Sequence, residues 1–214
     1  MDPSYHQEPP VFKPMRVLVG CEFSGTVRDA FIARGHLAIS CDLLPSDKPG
    51  PHLQCDVLDI LYQSPKDWPE TASQEVRETF AGGFDLFIGF PPCTHLAVSG
   101  ARWFKEKVQE QADALAFVRR LMDAPIEKIA IENPVSVISS KIRRPDQIIQ
   151  PYHYGHGEKK STCLWLKNLP LLRPTNRVEG RESKVHMMPP SPDRWKLRSL
   201  TLPGIAQAFA EQWG

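Results

Sequence analysis

The chain has 214 residues, 41% of them hydrophobic, and its 26 Lys/Arg against 25 Asp/Glu leave a net charge of +1. That length suits one sizeable α/β domain, or a domain with a small appendage, and leaves two full domains cramped. No uninterrupted apolar run is long enough to span a bilayer and no charged-then-apolar signal opens the chain, so a soluble cytoplasmic protein without a membrane partner is expected.

Residues 1–14 hold four prolines and little apolar periodicity, and are expected to form a flexible tail. A strand is predicted from Met15 to Gly20. A helix follows from Gly25 to Arg34, with Val27, Ala30, Phe31 and Arg34 at helical spacing and Gly35 as its stop. His36 to Cys41 reads as a second strand closing on Asp42, and Leu53 to Val57 as a short strand or strand edge. Residues 59–83 read as a helix with loops, Phe84 to Phe90 as a strand. Lys105 to Met122 is an amphipathic helix with Val108, Ala112, Leu115, Val118 and Met122 on one side. Lys128 to Glu132 is a strand running into Asn133-Pro134, Thr162 to Leu166 another, and Pro203 to Glu211 a helix with a Pro-Gly entry. Strands and helices alternate, with breakers at the strand ends. This predicts an α/β, Rossmann-like, doubly wound and mostly parallel sheet. Its core spans residues 15–140; a loop-rich segment, 141–198, and a helix, 199–214, returning to the core complete the division.

The near-neutral total hides an asymmetry. Residues 141–198 carry 13 Lys/Arg against five acids, a charge of +8, and the remainder carries −7. A basic segment rich in Pro, His and aromatics beside an acidic core points to a polyanion partner, or to a solvated loop region with an excess of cations. The five cysteines are widely spaced and never form C-x-x-C, which argues against a disulfide framework and a structural zinc site. Cys21, Cys41 and Cys55 lie in or beside strands and read as small buried hydrophobes. A zinc site from His153, His156 and Cys163 is conceivable, and no metal is expected.

The chemistry concentrates at strand ends. Pro91 and Pro92 lack N–H donors and stop the ladder, so the chain leaves the sheet at its carboxyl edge, where open α/β sheets bind ligands. Cys93 then sits on a stiff loop as a candidate nucleophile, and Ser99 and Gly100 let that loop move. Glu132 ends a buried strand; it is a backbone acceptor or a general acid of raised pKa. The first strand runs into Glu22-Phe23-Ser24-Gly25, and Asp42 follows about twenty residues on, where an acid binds ribose hydroxyls. An adenosine-containing cofactor fits that spacing, with Asp56 as an acceptor for the adenine amino group or simply a cap. His95 tunes the thiol or faces solvent, and Arg102 contacts phosphate or is a surface residue.

Pro91-Pro92-Cys93-Thr94-His95-Leu96-Ala97-Val98-Ser99-Gly100-Ala101-Arg102 resembles the catalytic loop of DNA cytosine-C5 methyltransferases, Pro-Pro-Cys-Gln followed by small residues, a glycine and a basic residue. Glu132-Asn133-Pro134 resembles that family's Glu-Asn-Val, and Glu22-Phe23-Ser24-Gly25 its S-adenosylmethionine loop. Asp42 and Asp56 match its cofactor acids in order and spacing. The resemblance covers residues 15–135, extends to the Pro203-Gly204 helix, and is nearest to compact phage and prophage members. It implies a bacterial or phage-infected cell and a place in DNA methylation or restriction-modification.

The resemblance implies that Glu22, Phe23, Ser24, Gly25, Asp42, Leu43, Asp56, Val57 and Pro91 bind S-adenosylmethionine. It assigns catalysis to Cys93, Glu132 and Arg102, with Lys160 or Thr162 standing in for the missing arginine of the family's Gln-x-Arg-x-Arg strand. Duplex DNA with a flipped cytosine is the implied partner, contacted by Ser99, Gly100, Arg102, Lys141, Arg143, Arg144, Lys159 and Lys160. Only 82 residues follow Glu132, so no large recognition domain fits. The same residues are also compatible with a free-nucleotide substrate, with a two-cysteine RNA scheme using Cys163, or with an inactive nucleic-acid-binding relic.

Overall fold

A computed structural model of the chain describes residues 12–99 and 106–214. β1 (Arg16–Gly20), β2 (Leu37–Asp42), β3 (His52–Gln54), β4 (Leu86–Gly89), β5 (Lys128–Pro134), β6 (Gln147–Ile149) and β7 (Thr162–Lys167) form one seven-stranded sheet ordered β3-β2-β1-β4-β5-β7-β6. β7 pairs antiparallel with both its neighbours, and every other pairing is parallel. The expected Rossmann-like, doubly wound, mostly parallel α/β fold is the one observed.

Alternation along the buried strands builds a core on each face. Leu18, Ile39, Phe87, Ile129 and Ile131 face one side, where α2 (Val57–Tyr62) and α4 (Val108–Met122) pack. Val17, Val19, Leu86, Ile88 and Ala130 face the other, under α1 (Thr26–Ile32) and α8 (Pro203–Trp213), which also pack on each other. Each of these fully buried Val, Leu, Ile and Phe side chains contributes roughly 1.5–3 kcal/mol relative to an exposed one. α8 docks through Gly204. A Cβ there would lie 1.9 Å from the Tyr154 carbonyl oxygen, and the Gly204 N–H donates to His156 Nε2 at 3.0 Å.

Several boundaries differ from the sequence expectation. Val57 opens a helix, because the Asp56 carboxylate accepts the Leu58 N–H at 2.9 Å and caps it. Residues 59–83 contain the end of α2 and α3 (Gln74–Thr79). In α4 the packed stripe is Leu115, Val118 and Leu121, with Met122 partly buried against the same core as expected; Val108 is 68% exposed and Ala112 is exposed too. The basic segment follows the short helix α5 (Ile138–Lys141) and is more regular than a loop, with β6 and the short helices α6 (Lys184–Met187) and α7 (Arg194–Ser199). Of the cysteines read as core, Cys41 is buried whereas Cys21 and Cys55 are half-buried. Most of the tail expected over 1–14 lies outside the described residues.

Register decides where the site falls. Gly20 pairs with Cys41 and Gly89, and Gly89 with Ile131, so the loops after β1, β2, β4 and β5 all leave at one level. Chain order reverses between β1 and β4, and the crevice above that reversal is where doubly wound sheets receive ligands.

Candidate active site

β1 ends in a shaped turn. Cys21 adopts φ 57°, a left-handed conformation uncommon for a non-glycine residue, and Gly25 adopts φ 68°. Glu22 is only 5% exposed, and its Oε1 accepts the Thr26 N–H at 2.7 Å and the Ser24 hydroxyl, capping α1. Glu22 Oε2 is buried with no partner among the described residues. Buried polar atoms are normally satisfied, so an orphaned carboxylate oxygen at this crevice marks a place for a ligand donor. Burial raises the Glu22 pKa, while the Ser24, Thr26 and Val27 hydrogen bonds oppose the rise.

Arg28, one turn into α1, is fully buried and did not stand out in the helical pattern. Its guanidinium donates to Ser40 Oγ and Ser46 Oγ, both at 3.2 Å, and to the Pro49 carbonyl at 2.9 Å, and pairs with Asp29 at 2.8 Å. These bonds offset its desolvation and pin the loop after β2 against α1. Gly25 is required beside it, since a Cβ there would meet the guanidinium at 2.4 Å.

Asp42 sits at the end of β2, half-buried, its Oδ1 accepting the Leu44 N–H at 2.9 Å. Desolvation raises its pKa. Leu43 is 71% exposed at the rim, a free apolar surface, whereas the Val57 side chain is in the core and has none to offer a ligand. Asp56 caps α2, so at least Oδ1 serves the fold. The Phe23 ring is 7% exposed and lies beneath α7.

The second half of the site joins β4 to β5. The buried Asn133 donates from Nδ2 to the Pro91 carbonyl at 2.8 Å, tying the end of β5 to the proline turn. Beyond Cys93 the chain makes one turn, with the Ala97 N–H donating to the Cys93 carbonyl at 2.8 Å. Val98 and Val137 N–H groups then bond across to Val135 and Leu96 carbonyls. The Cys93 loop is thereby zipped to the segment after Glu132. Cys93 is exposed at the mouth, yet nearby protein desolvates its thiol, and that effect, followed by the Glu132 charge, raises its pKa; Arg198 and Lys160 pull it down. Desolvation raises Glu132 as well, opposed by Lys160 and by the Thr162 hydroxyl. Two further polar atoms without a partner among the described residues, Asn133 Oδ1 and Ser136 Oγ, lie on the same exit. A thiol, a carboxyl group whose pKa is raised by burial and two cations thus share one mouth.

The chain is similar in fold to two solved methyltransferases. Against the S. pombe Dnmt2 methyltransferase it shows 18% identity over 81% of this chain and 54% of the other, with a TM-score of 0.45. Against the Entamoeba histolytica methyltransferase EhMeth the identity is 14% over 84% of this chain and 61% of the other, with a TM-score of 0.48. The chain therefore spans less than two thirds of either protein's length. No family model and no curated relative matches the sequence.

The remaining predicted residues divide by position. Lys160 reaches the mouth, its Nζ donating to the Leu200 carbonyl at 3.2 Å; Pro91 is buried in the turn it starts, and Ser99 is exposed beyond it. Gly100 and Arg102 lie outside the described residues. Lys159 is exposed, its N–H donating to the Glu182 carbonyl at 2.8 Å. Lys141 and Arg143 do not join the site. The Lys141 carbonyl accepts Arg119 from the last turn of α4, which leads to the amino end of β5, and Arg143 is committed to Asp146 at 2.7 Å and the Leu166 carbonyl at 3.0 Å. Arg144 is exposed beside them. The chain after β5 turns back down the sheet before β6, which carries these cations away from Cys93. Cys163 is 1% exposed within β7 and its thiol is pushed up to about 11, mainly by burial, so it is a core residue rather than a second nucleophile. His156 Nε2 already accepts from Gly204, and His153 packs edge-on against Tyr152 and Tyr154. Arg198 is the addition that sequence reading missed; the only signal was its basic run, Arg194-Trp195-Lys196-Leu197-Arg198.

Proposed function

We propose that the protein methylates C5 of cytosine in DNA, using S-adenosylmethionine and a transient covalent bond from Cys93 to C6 of the base. The observation that carries this reading is the pairing of Cys93 and Glu132 at the ends of adjacent strands β4 and β5, beside the orphaned Glu22 carboxylate oxygen at the β1 exit.

The residues fit the cofactor. Glu22 Oε2 needs a donor, Asp42 stands where ribose hydroxyls are bound, and exposed Leu43 offers an apolar surface. When bound, S-adenosylmethionine supplies the electrophilic methyl group that C5 takes up. C5 of cytosine is a poor nucleophile until the ring is activated, and the Cys93 thiolate does this by adding to C6. The C5=C6 electrons move toward C5 and the ring, and Glu132 in its protonated form donates to N3, where negative charge develops. Lys160 and Arg198 stabilise the thiolate against the desolvation and carboxylate that oppose it. After methylation the C5 proton passes to water, its bonding electrons restore the C5=C6 bond, and the C6–S bond breaks to release Cys93 as thiolate. A duplex base must leave the stack to reach this mouth, and the basic residues around it would hold the phosphates.

Methyl transfer from labelled S-adenosylmethionine to DNA by the wild type, Cys93→Ala and Cys93→Ser proteins tests the reading. Activity is expected in the wild type alone, together with a covalent adduct on 5-fluorocytosine DNA. Equal labelling by all three proteins would sink the nucleophile assignment.

A further inference from the structure

α7 belongs by sequence to the basic segment, yet it packs on the cofactor loop. Trp195 lies against Phe23 with ring centroids 6.3 Å apart, and Lys196 Nζ stands 5.1 Å from the Phe23 ring centre. The same ammonium pairs with Asp47 at 2.6 Å, and the Asp47 N–H donates to the Phe23 carbonyl at 2.8 Å. Three segments remote in sequence, the exits of β1 and β2 and a helix near the C-terminus, therefore close on one another, and Lys196 touches both of the loops. The contact also resolves a mismatch, since Phe23, expected in an adenosine pocket, has its ring covered.

We propose that α7 is a removable wall of the cofactor site, with Lys196 the positioning residue that latches it to Asp47 and Phe23. This rests on the methyltransferase reading above. Closed, α7 excludes water from the β1 and β2 exits and, through Arg198 on the same short helix, sets a cation near Cys93. Open, it uncovers Phe23 and lets S-adenosylmethionine enter and S-adenosylhomocysteine leave. The latch suits repeated opening. Lys196 and Asp47 are 36% and 38% exposed as side chains, and exposed pairs of this kind are weak enough to break on every turnover. A helix of six residues has little stability of its own, so its position depends on these contacts.

The test measures S-adenosylhomocysteine affinity by calorimetry, and KM for S-adenosylmethionine alongside kcat, in the wild type, Lys196→Ala, Asp47→Ala, and the exchanged pair Lys196→Asp with Asp47→Lys. Each single variant is expected to weaken binding about fivefold and raise KM more than it lowers kcat, and the exchanged pair to recover most of the loss. Melting temperatures equal to wild type exclude a general loss of structure. Wild-type binding with unchanged affinity in the single variants, or no recovery in the exchanged pair, overturns the latch while leaving the methyltransferase reading intact. Absence of any wild-type binding overturns both.

Discussion

Cys93 and Glu132 were legible as residues because each ends a buried apolar run at a breaker, but their mutual influence was not, since it depends on β4 and β5 being neighbours. Their coupling has a sign that experiment can read. The Glu132 charge raises the Cys93 pKa, so Glu132→Gln removes that effect and enlarges the thiolate fraction at pH 8. Alkylation of Cys93 by iodoacetamide, followed by mass spectrometry of its peptide, is expected to run about three- to tenfold faster in Glu132→Gln. Lys160→Ala is expected to slow it, because a cation that favours thiolate is lost. On the proposed mechanism methyl transfer is expected to move the other way in Glu132→Gln and to collapse, since an amide cannot give a proton to N3. An unchanged alkylation rate in Glu132→Gln would show that the Glu132 charge does not act on the thiol. The buried role of Arg28 and the turn-tying role of Asn133 escaped the sequence reading for a related reason. An arginine in a helix and an asparagine after a strand have ordinary local patterns, and only the folded chain brings them onto the Pro49 and Pro91 carbonyls.

Long elements with strong periodicity were readable; short ones held by tertiary contacts were not. β1, β4 and β5 are apolar runs bounded by breakers, and α4 and α8 show helical spacing. β6 is three residues, Gln147-Ile148-Ile149, with one buried side chain, and α7 carries no buried residue at all. Neither leaves a hydrophobic signature, and β7 could be recognised as a strand without its antiparallel direction being evident. The Pro-Gly entry of α8 was visible, but its packing was not. Gly204→Ala would push a Cβ into the Tyr154 carbonyl and break the bond to His156. A loss of about 2–3 kcal/mol, seen as a fall in Tm of roughly 5–10 °C, is expected. An unchanged Tm would mean that α8 is free to move away from Tyr154.

At the scale of the whole molecule, the +8 of residues 141–198 does not form one surface. Lys160 and Arg198 act on Cys93, whereas Lys141 lies beside the last turn of α4 and Arg143 is tied to Asp146 and the Leu166 carbonyl. On the proposed reading, DNA affinity measured against salt separates the two groups. Lys160→Ala and Arg198→Ala are each expected to reduce the slope of log affinity against log salt by about one, and Lys141→Ala and Arg143→Ala to leave it unchanged. Equal effects from all four would mean that DNA covers both faces. What the amino-acid order determined by itself was the set of strand ends and the chemical groups placed on them, because buried runs, breakers and glycines act over a few residues. Which groups meet was decided only by tertiary structure. Strand order sets Glu132 beside Cys93, the reversed β7 returns Lys160 toward both, and α7 folds back across the chain to cover Phe23, all through contacts between residues far apart in sequence.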